Sequence, residues 1–261
     1  MTLTVWSWCL RGAWLMSGRA AVIAVTSLAL EARIASGPGV SVICNQASRL
    51  ASSLEAAIER GACGIISFGI AGGLAPKLVA GDWVVGSAVR SRDERHPADA
   101  RWARRLMEAL PGAVLAETAG ADGAIATCVD KRRLHEQTNT VAVDMESHVA
   151  ARVAARHNIP FAICRTIIDA ANRDLPPAAL LELQEDGTAD VLAILRSLAR
   201  RPSQIPALAR IAVEAWIARE ALRRGRALLG PGLGCPFVAQ RAPEVLVTPP
   251  MLSDPQFSAQ S

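Results

Sequence analysis

Residues 141–172, VAVDMESHVAARVAARHNIPFAICRTIIDAAN, hold the decisive pattern of this chain. The short apolar run 141–143 predicts a buried strand. Residues 147–157 continue with alanine and valine at helical spacing, and 161–167 form a second, largely apolar run of strand length. Strand, helix and strand in that order build a parallel sheet with helices laid on its faces. Two acids stand at the junctions. Glu146, in Asp144-Met145-Glu146-Ser147, lies where strand gives way to helix, and Asp169 lies where the second strand ends. In α/β sheets ligands bind at the carboxyl ends of strands, so both acids are candidates for one cleft. A carboxylate at the first junction can grip a diol, and one at the second can exchange a proton with a ring nitrogen. That pairing suits a nucleoside.

Outward from this stretch the alternation persists. Strands are expected at 21–25, 40–44, 64–68 and 82–89, and helices at 47–60 and 100–110. Glu31 and Arg33 fall in a helix or loop between the first two strands. Residues 115–119 and 125–127 flank a glycine-rich turn around Asp122. The fold class is therefore α/β: a single domain over 20–230, with a largely parallel twisted central sheet and helices on both faces. Further helices are expected at 189–200 and 205–229. Residues 231–261 are proline-rich and aperiodic, and read as a disordered tail. Residues 1–19 carry three tryptophans and an arginine inside an apolar stretch, unlike a secretory signal. They read as an N-terminal extension outside the native protein, with Met16 as initiator; a short interfacial anchor is the other reading.

Composition narrows the function classes. A chain of 261 residues, 51% hydrophobic and 20% charged, can bury one large core. No apolar run is long enough to span a bilayer. The net charge of +4 is nearly all arginine, Lys77 and Lys131 being the only lysines. No nucleic-acid motif is interleaved with those arginines, so a solvated basic surface is expected and nucleic acid is not. The six cysteines are scattered without CxxC spacing, and the four histidines have no ligand partner at helical spacing. Neither pattern makes a metal site, and both fit a reducing, cytoplasmic setting without disulfides.

Two motifs in order carry a family resemblance. GIAGGLAPKLVAGDWVV at 69–85, followed by the stretch quoted above, resembles the nucleoside phosphorylase and nucleosidase superfamily over roughly residues 20–200. That group includes purine nucleoside phosphorylases and methylthioadenosine/adenosylhomocysteine nucleosidases. AVTSLALEARIASGPGV, ISFGIAGGL, DMESHVAARVAA and an arginine-rich helical end after LPPAAL look most like its hopanoid-associated phosphorylase branch. The resemblance implies that Glu146, with Met145 beside it, holds the ribose 2′- and 3′-hydroxyls. It implies that Asp169 protonates N7 of the leaving purine, that Glu31 activates water, and that Ala71, Gly72 and Asp122 line or adjoin the base and ribose site. It also implies a homo-oligomer with no cofactor, and phosphate as a conceivable co-substrate. The chain departs from the pattern twice. Ile168 stands where many relatives have a serine before the aspartate. The phosphate-binding arginine, glycine and serine are replaced by Cys44-Asn45-Gln46-Ala47-Ser48-Arg49, where Ser48 and Arg49 are the available candidates.

The substrate implied is a purine nucleoside, with adenosylhopane as the branch-specific case and methylthioadenosine or adenosylhomocysteine as the small-nucleoside alternative. A non-catalytic nucleoside-binding protein is the alternative of another class. A hopanoid nucleoside would reside in lipid. The helix at 205–229 mixes apolar residues with Arg210, Arg219, Arg223, Arg224 and Arg226. It can therefore lie on an anionic membrane surface, peripheral to the inner membrane, or pack its apolar face on its own domain.

Overall fold

The computed structural model describes residues 21–45, 47–92, 94–176, 203 and 205–238. The N-terminal extension, the helix expected at 189–200 and residues 239–261 lie outside the described residues. The elements run β1 (Val22–Thr26), α1 (Ala29–Ala35), β2 (Val40–Cys44), α2 (Ala47–Glu59), β3 (Gly64–Gly73), β4 (Trp83–Ser91), β5 (Glu94–Pro97), α3 (Ala100–Ala109), β6 (Val114–Gly120), α4 (Cys128–Thr138), β7 (Ala142–Asp144), α5 (Ser147–Arg156), β8 (Phe161–Asp169) and α6 (Ile205–Leu229), then a 3-10 turn, Pro231–Gly234.

One eight-stranded sheet joins them in the order β2-β1-β3-β7-β6-β4-β5, with β8 bridging β3 and β4. Five pairings are parallel: β1 with β2 and β3, β3 with β8, and β6 with β4 and β7. Three are antiparallel: β3 with β7, and β4 with β5 and β8. The double pairing of β8 closes β3, β7, β6, β4 and β8 into a ring beside an open wing of β1 and β2.

Alternation along β1 sorts the helices onto two faces. Val22 and Ala24 join a core with Ala35, Trp102, Leu106, Leu222 and Leu229, from α1, α3 and α6. Ile23 and Val25 point the other way, to Leu50, Leu54, Ala150 and Ala154 of α2 and α5.

Three expectations are corrected. Residues 69–73 are strand rather than a turn after residue 68. Gly69–Ala71 stay paired to Arg165–Ile167, and Gly72 to Asp169 after a bulge, while Gly72 and Gly73 also pair with Val143 and Ala142. The helix α4 was not expected, because its few apolar residues give no clear period. Its sequence signal is instead a cap, with Thr127 Oγ1 accepting from the Asp130 amide at 3.1 Å.

The third correction concerns the C-terminus. Residues 231–238, expected to open a disordered tail, are part of the domain: Leu233 and Cys235 are buried, and Trp102 Nε1 donates to the Leu233 carbonyl at 3.0 Å. The apolar residues of α6 are also divided. Ala218, Leu222, Gly225 and Leu229 are buried, whereas Ile205, Val213 and Trp216 are exposed, Trp216 by 62%. The C-terminal half of the helix packs on the domain. No described helix is long and apolar enough to cross a membrane.

Candidate active site

The carboxyl ends of β3, β7 and β8 meet around a cavity of about 230 Å³. Its lining includes Ile70, Ala71 and Gly72 from β3, Val143 and Asp144 from β7, and Ile168 and Asp169 from β8. Ser27, Leu28, Gly123, Ala124, Ile125, Met145, Glu146 and Leu175 complete it from the connecting segments. The wall is mostly apolar and three acids break it, the composition of a site for a small organic ligand.

Glu146 and Asp169 are each only 4% exposed, and both line this cavity. Glu146 sits at the entrance to α5, whose first amides are taken by Asp144. Asp144 Oδ1 accepts from the Glu146 amide at 2.9 Å and the Ser147 amide at 2.6 Å, and Oδ2 from the Ser147 hydroxyl at 2.6 Å.

Arg165, fully buried in β8, ties these groups together. Its Nη2 donates to Glu146 Oε2 at 3.1 Å, Asp144 Oδ1 at 3.2 Å and Ser67 Oγ at 2.5 Å, and its Nη1 to the Ile70 carbonyl at 3.3 Å. Among the described residues, that bond from Arg165 is the one hydrogen bond the Glu146 carboxylate accepts, so it keeps capacity for ligand hydroxyls. Burial pushes Glu146 up to about 7; Arg165 opposes the rise, and Asp144 and Glu31 add to it.

Asp169 is the last residue of β8. Residues 170–176 are not helical, so it caps no helix. Its Oδ2 accepts from Lys131 Nζ, which also donates to the carbonyls of Ala170 at 3.2 Å and Arg173 at 2.9 Å. Burial raises the Asp169 carboxyl above the usual aspartate range despite the opposing Lys131 ammonium. A proton donor near neutral pH needs this direction of shift. Gly73 makes room for its backbone, since a Cβ there would fall 2.9 Å from the Asp169 carbonyl.

Glu31, 1% exposed, stands behind the lining. Its Oε2 accepts from the Ser27 and Leu28 amides at 2.9 Å each and from the Ser27 hydroxyl at 3.2 Å, and its Oε1 from the Ile70 amide at 2.7 Å. Gly69 permits this, since a Cβ there would meet Glu31 Oε1 at 2.4 Å. The geometry gives Glu31 the work of fixing the Ser27–Leu28 corner against β3.

Met145, Ala71 and Gly72 line the cavity. Asp122 does not. Its side chain is 69% exposed and engages Arg92 at 2.8 Å and His148 at 3.3 Å, while its neighbours Gly123 and Ala124 supply the wall. Arg92, then His148, holds the Asp122 carboxyl below its usual range. Arg49 is exposed on α2 and is not part of the lining, and the Ser48 side chain lies outside the described residues. Of the two candidate phosphate ligands, Arg49 is not brought to the cavity.

Sequence reasoning missed Arg165 and Lys131. Arg165 carries a signal: an arginine inside the apolar run Phe161–Asp169 faces burial, and a buried charge requires partners. Lys131 carries little beyond the rarity of lysine in this chain.

Residues 44–205 match the family described as the Phosphorylase superfamily. A 135-residue segment is 31% identical to a 5′-methylthioadenosine/S-adenosylhomocysteine nucleosidase of Shewanella loihica, covering 43% of this chain and 59% of that relative. The fold is shared with 5′-methylthioadenosine/S-adenosylhomocysteine nucleosidase from S. pneumoniae (TM-score 0.58, 16% identity, 82% of this chain and 98% of that one). It is also shared with futalosine hydrolase of Helicobacter pylori (TM-score 0.54, 16% identity, 69% and 97%). The family match spans more than half of the sequence and includes all three acids of the cavity: the chain belongs to the phosphorylase superfamily.

Proposed function

We propose that the protein cleaves the N-glycosidic bond of a purine nucleoside. One observation carries the reading: Glu146 and Asp169 line the same small apolar cavity from the ends of different strands. Breaking the bond builds positive charge on the ribose and negative charge on the base. Asp169, held in an environment that favours its protonated form, relieves the second charge by donating to the purine. Glu146 accepts from the ribose hydroxyls while Arg165 fixes its direction. The described lining offers an inorganic phosphate no cationic side chain, which favours water as the attacking group. Glu31 accepts one hydrogen bond at Oε1 and so keeps a lone pair there, but it stands behind the Ser27–Leu28 corner, and taking a proton from that water needs a path past that corner.

For the substrate we propose adenosylhopane, with adenine released in hopanoid side-chain biosynthesis. A cavity of about 230 Å³ cannot enclose a large 5′ group, so such a group would leave it along the apolar wall of Leu28, Met145, Ile168 and Leu175. The exposed Ile205, Val213 and Trp216 of α6, beside Arg210, Arg219 and Arg223, would meet the membrane from the cytoplasmic side. A small nucleoside such as methylthioadenosine is the second reading, favoured by the nucleosidase relative. We further propose that the enzyme works as a homo-oligomer.

The test is base release from a panel of nucleosides, with and without phosphate. Adenine and a free ribosyl hydroxyl product are expected, adenosylhopane being the better substrate. A ribosyl 1-phosphate product would replace water by phosphate. Preference for methylthioadenosine would select the second reading, and binding of adenine without turnover would make the protein a nucleoside binder. Flotation with anionic vesicles at low salt tests the membrane contact, which is discarded if Arg219, Arg223 and Arg224 can become glutamine without loss of binding.

A further inference from the structure

We propose that Lys131 is the positioning residue that sets the acidity of Asp169, as the standing counter-ion of the carboxylate left when Asp169 gives up its proton. The inference rests on the reaction proposed above. A lysine ammonium is among the groups least often fully buried, because leaving water costs several kcal/mol unless partners replace it. Lys131 is wholly buried and has three acceptors: Asp169 Oδ2 and the carbonyls of Ala170 and Arg173. The carbonyls alone would anchor the segment after β8. What they do not explain is why the ammonium also takes one oxygen of the acid presented to the cavity. Nor does α4 need the pair, since it is capped by Thr127 and its Cys128 amide is taken by Asp174 at 2.6 Å.

The step balances as follows. The C1′–N9 bond breaks and its electron pair moves into the purine ring, while water adds to the C1′ cation, forming the C1′–O bond and releasing one proton to solvent. Purine N7 takes the proton of the Asp169 carboxyl, and the resulting carboxylate is already paired with Lys131. No proton leaves Lys131, and solvent reprotonates Asp169 once the base departs. The other charged groups in the neighbourhood are Arg173 and Asp174 on the segment after β8, Asp144 and Glu146 on the same cavity with Arg165 bonded to both, and Asp82, whose carboxylate is taken by the Val79 amide at 2.9 Å. None is hydrogen-bonded to Asp169, so Lys131 is the partner whose removal changes the balance.

The experiment compares wild type with Lys131→Met and Lys131→Gln on two substrates, a purine nucleoside and its 7-methylated analogue, whose leaving base needs no proton at N7. Lys131→Gln keeps a donor for the carbonyls and serves if the methionine variant fails to fold, which near-ultraviolet circular dichroism reports. On the ordinary nucleoside, kcat is expected to fall about 10²-fold, the scale of general-acid help, and the alkaline limb of its pH profile to move upward. On the 7-methylated nucleoside kcat should change less than about threefold. Equal losses on both substrates in a folded variant, or an unmoved alkaline limb, would overturn the inference and leave Lys131 a structural anchor. A wild-type protein that releases base from neither substrate would overturn the proposed function itself, and this inference with it.

Discussion

Around Glu146 one guanidinium serves two carboxylates, a hydroxyl and a carbonyl; around Asp169 one ammonium serves one carboxylate and two carbonyls. The first arrangement is a platform. Arginine stays charged at any accessible pH and its planar fork holds several acceptors in fixed directions, so the acids beside it are oriented rather than titrated by it. The second is adjustable, a single acid with a single counter-ion at the wall of an apolar cavity. The difference assigns recognition to one end of the cavity and proton transfer to the other.

The largest effect should come from breaking the platform. Arg165→Met removes the shared cation and leaves Asp144 and Glu146 buried without it. A buried ion pair broken from one side costs about 3–5 kcal/mol, a large part of the stability of an ordinary domain. Denaturant titration is expected to show a much lower midpoint or no cooperative transition. A midpoint within about 1 kcal/mol of wild type would mean that the two acids discharge freely and that no platform exists.

Asp169→Asn strikes the other end. The amide cannot give up a proton to the base, so kcat should fall about 10²–10⁴-fold while adenine still binds. Turnover of the purified, folded variant close to wild type would remove Asp169 from the chemistry and dissolve the division between the two ends.

How much of this contrast the sequence discloses differs between the ends. Glu146 and Asp169 are placed by pattern alone, because the change from strand period to helix period falls on the first and an apolar run ends on the second. The partners that give them their properties are less visible. Arg165 interrupts an apolar strand and so announces itself, whereas Lys131 comes from α4, a helix too polar to show a period, and reaches Asp169 across 38 residues of chain. The same limit accounts for residues 69–73. Glycines after a strand read locally as a turn, yet here they pair with two strands at once where the sheet closes. Residues 231–238 lack periodicity because Gly230, Gly232 and Gly234 fold them by left-handed backbone conformations. Only the tertiary burial of Leu233 identifies them as core.

Glu146→Gln should have a moderate effect with a distinct pH signature. Burial holds the folded-state value near 7, above the usual 4.5, so the neutral form is favoured in the folded protein. The stability this contributes is fully present below pH 4.5 and is lost as pH rises through about 7. Thermal melts of wild type should therefore decline across that window, and those of the variant should decline less. Ribose binding needs the ionised carboxylate as acceptor, so kcat/KM of wild type should rise through pH 7, and the variant should lose that limb. It should also lose discrimination between ribose and 2′-deoxyribose substrates, by about tenfold if one hydrogen bond to a charged group is lost. Equal losses on both sugars would take the 2′-hydroxyl away from Glu146.

The smallest effect is expected at Asp122, which the motif pattern placed in the site and the structure places outside the cavity. Its carboxylate lies at the surface between Arg92 and His148, and exposed ion pairs contribute about 0–1 kcal/mol. Asp122→Ala should leave kcat within about threefold of wild type, consistent with a side chain that touches no substrate. The bond to His148 is a route by which it could matter, because His148 is itself buried in the first turn of α5, two residues after Glu146. Measuring KM for ribose and 2′-deoxyribose substrates in the variant examines that route. A change confined to the ribose substrate would show that the recognition end of the cavity extends through His148 to the surface, and the platform around Glu146 would then include Asp122 after all.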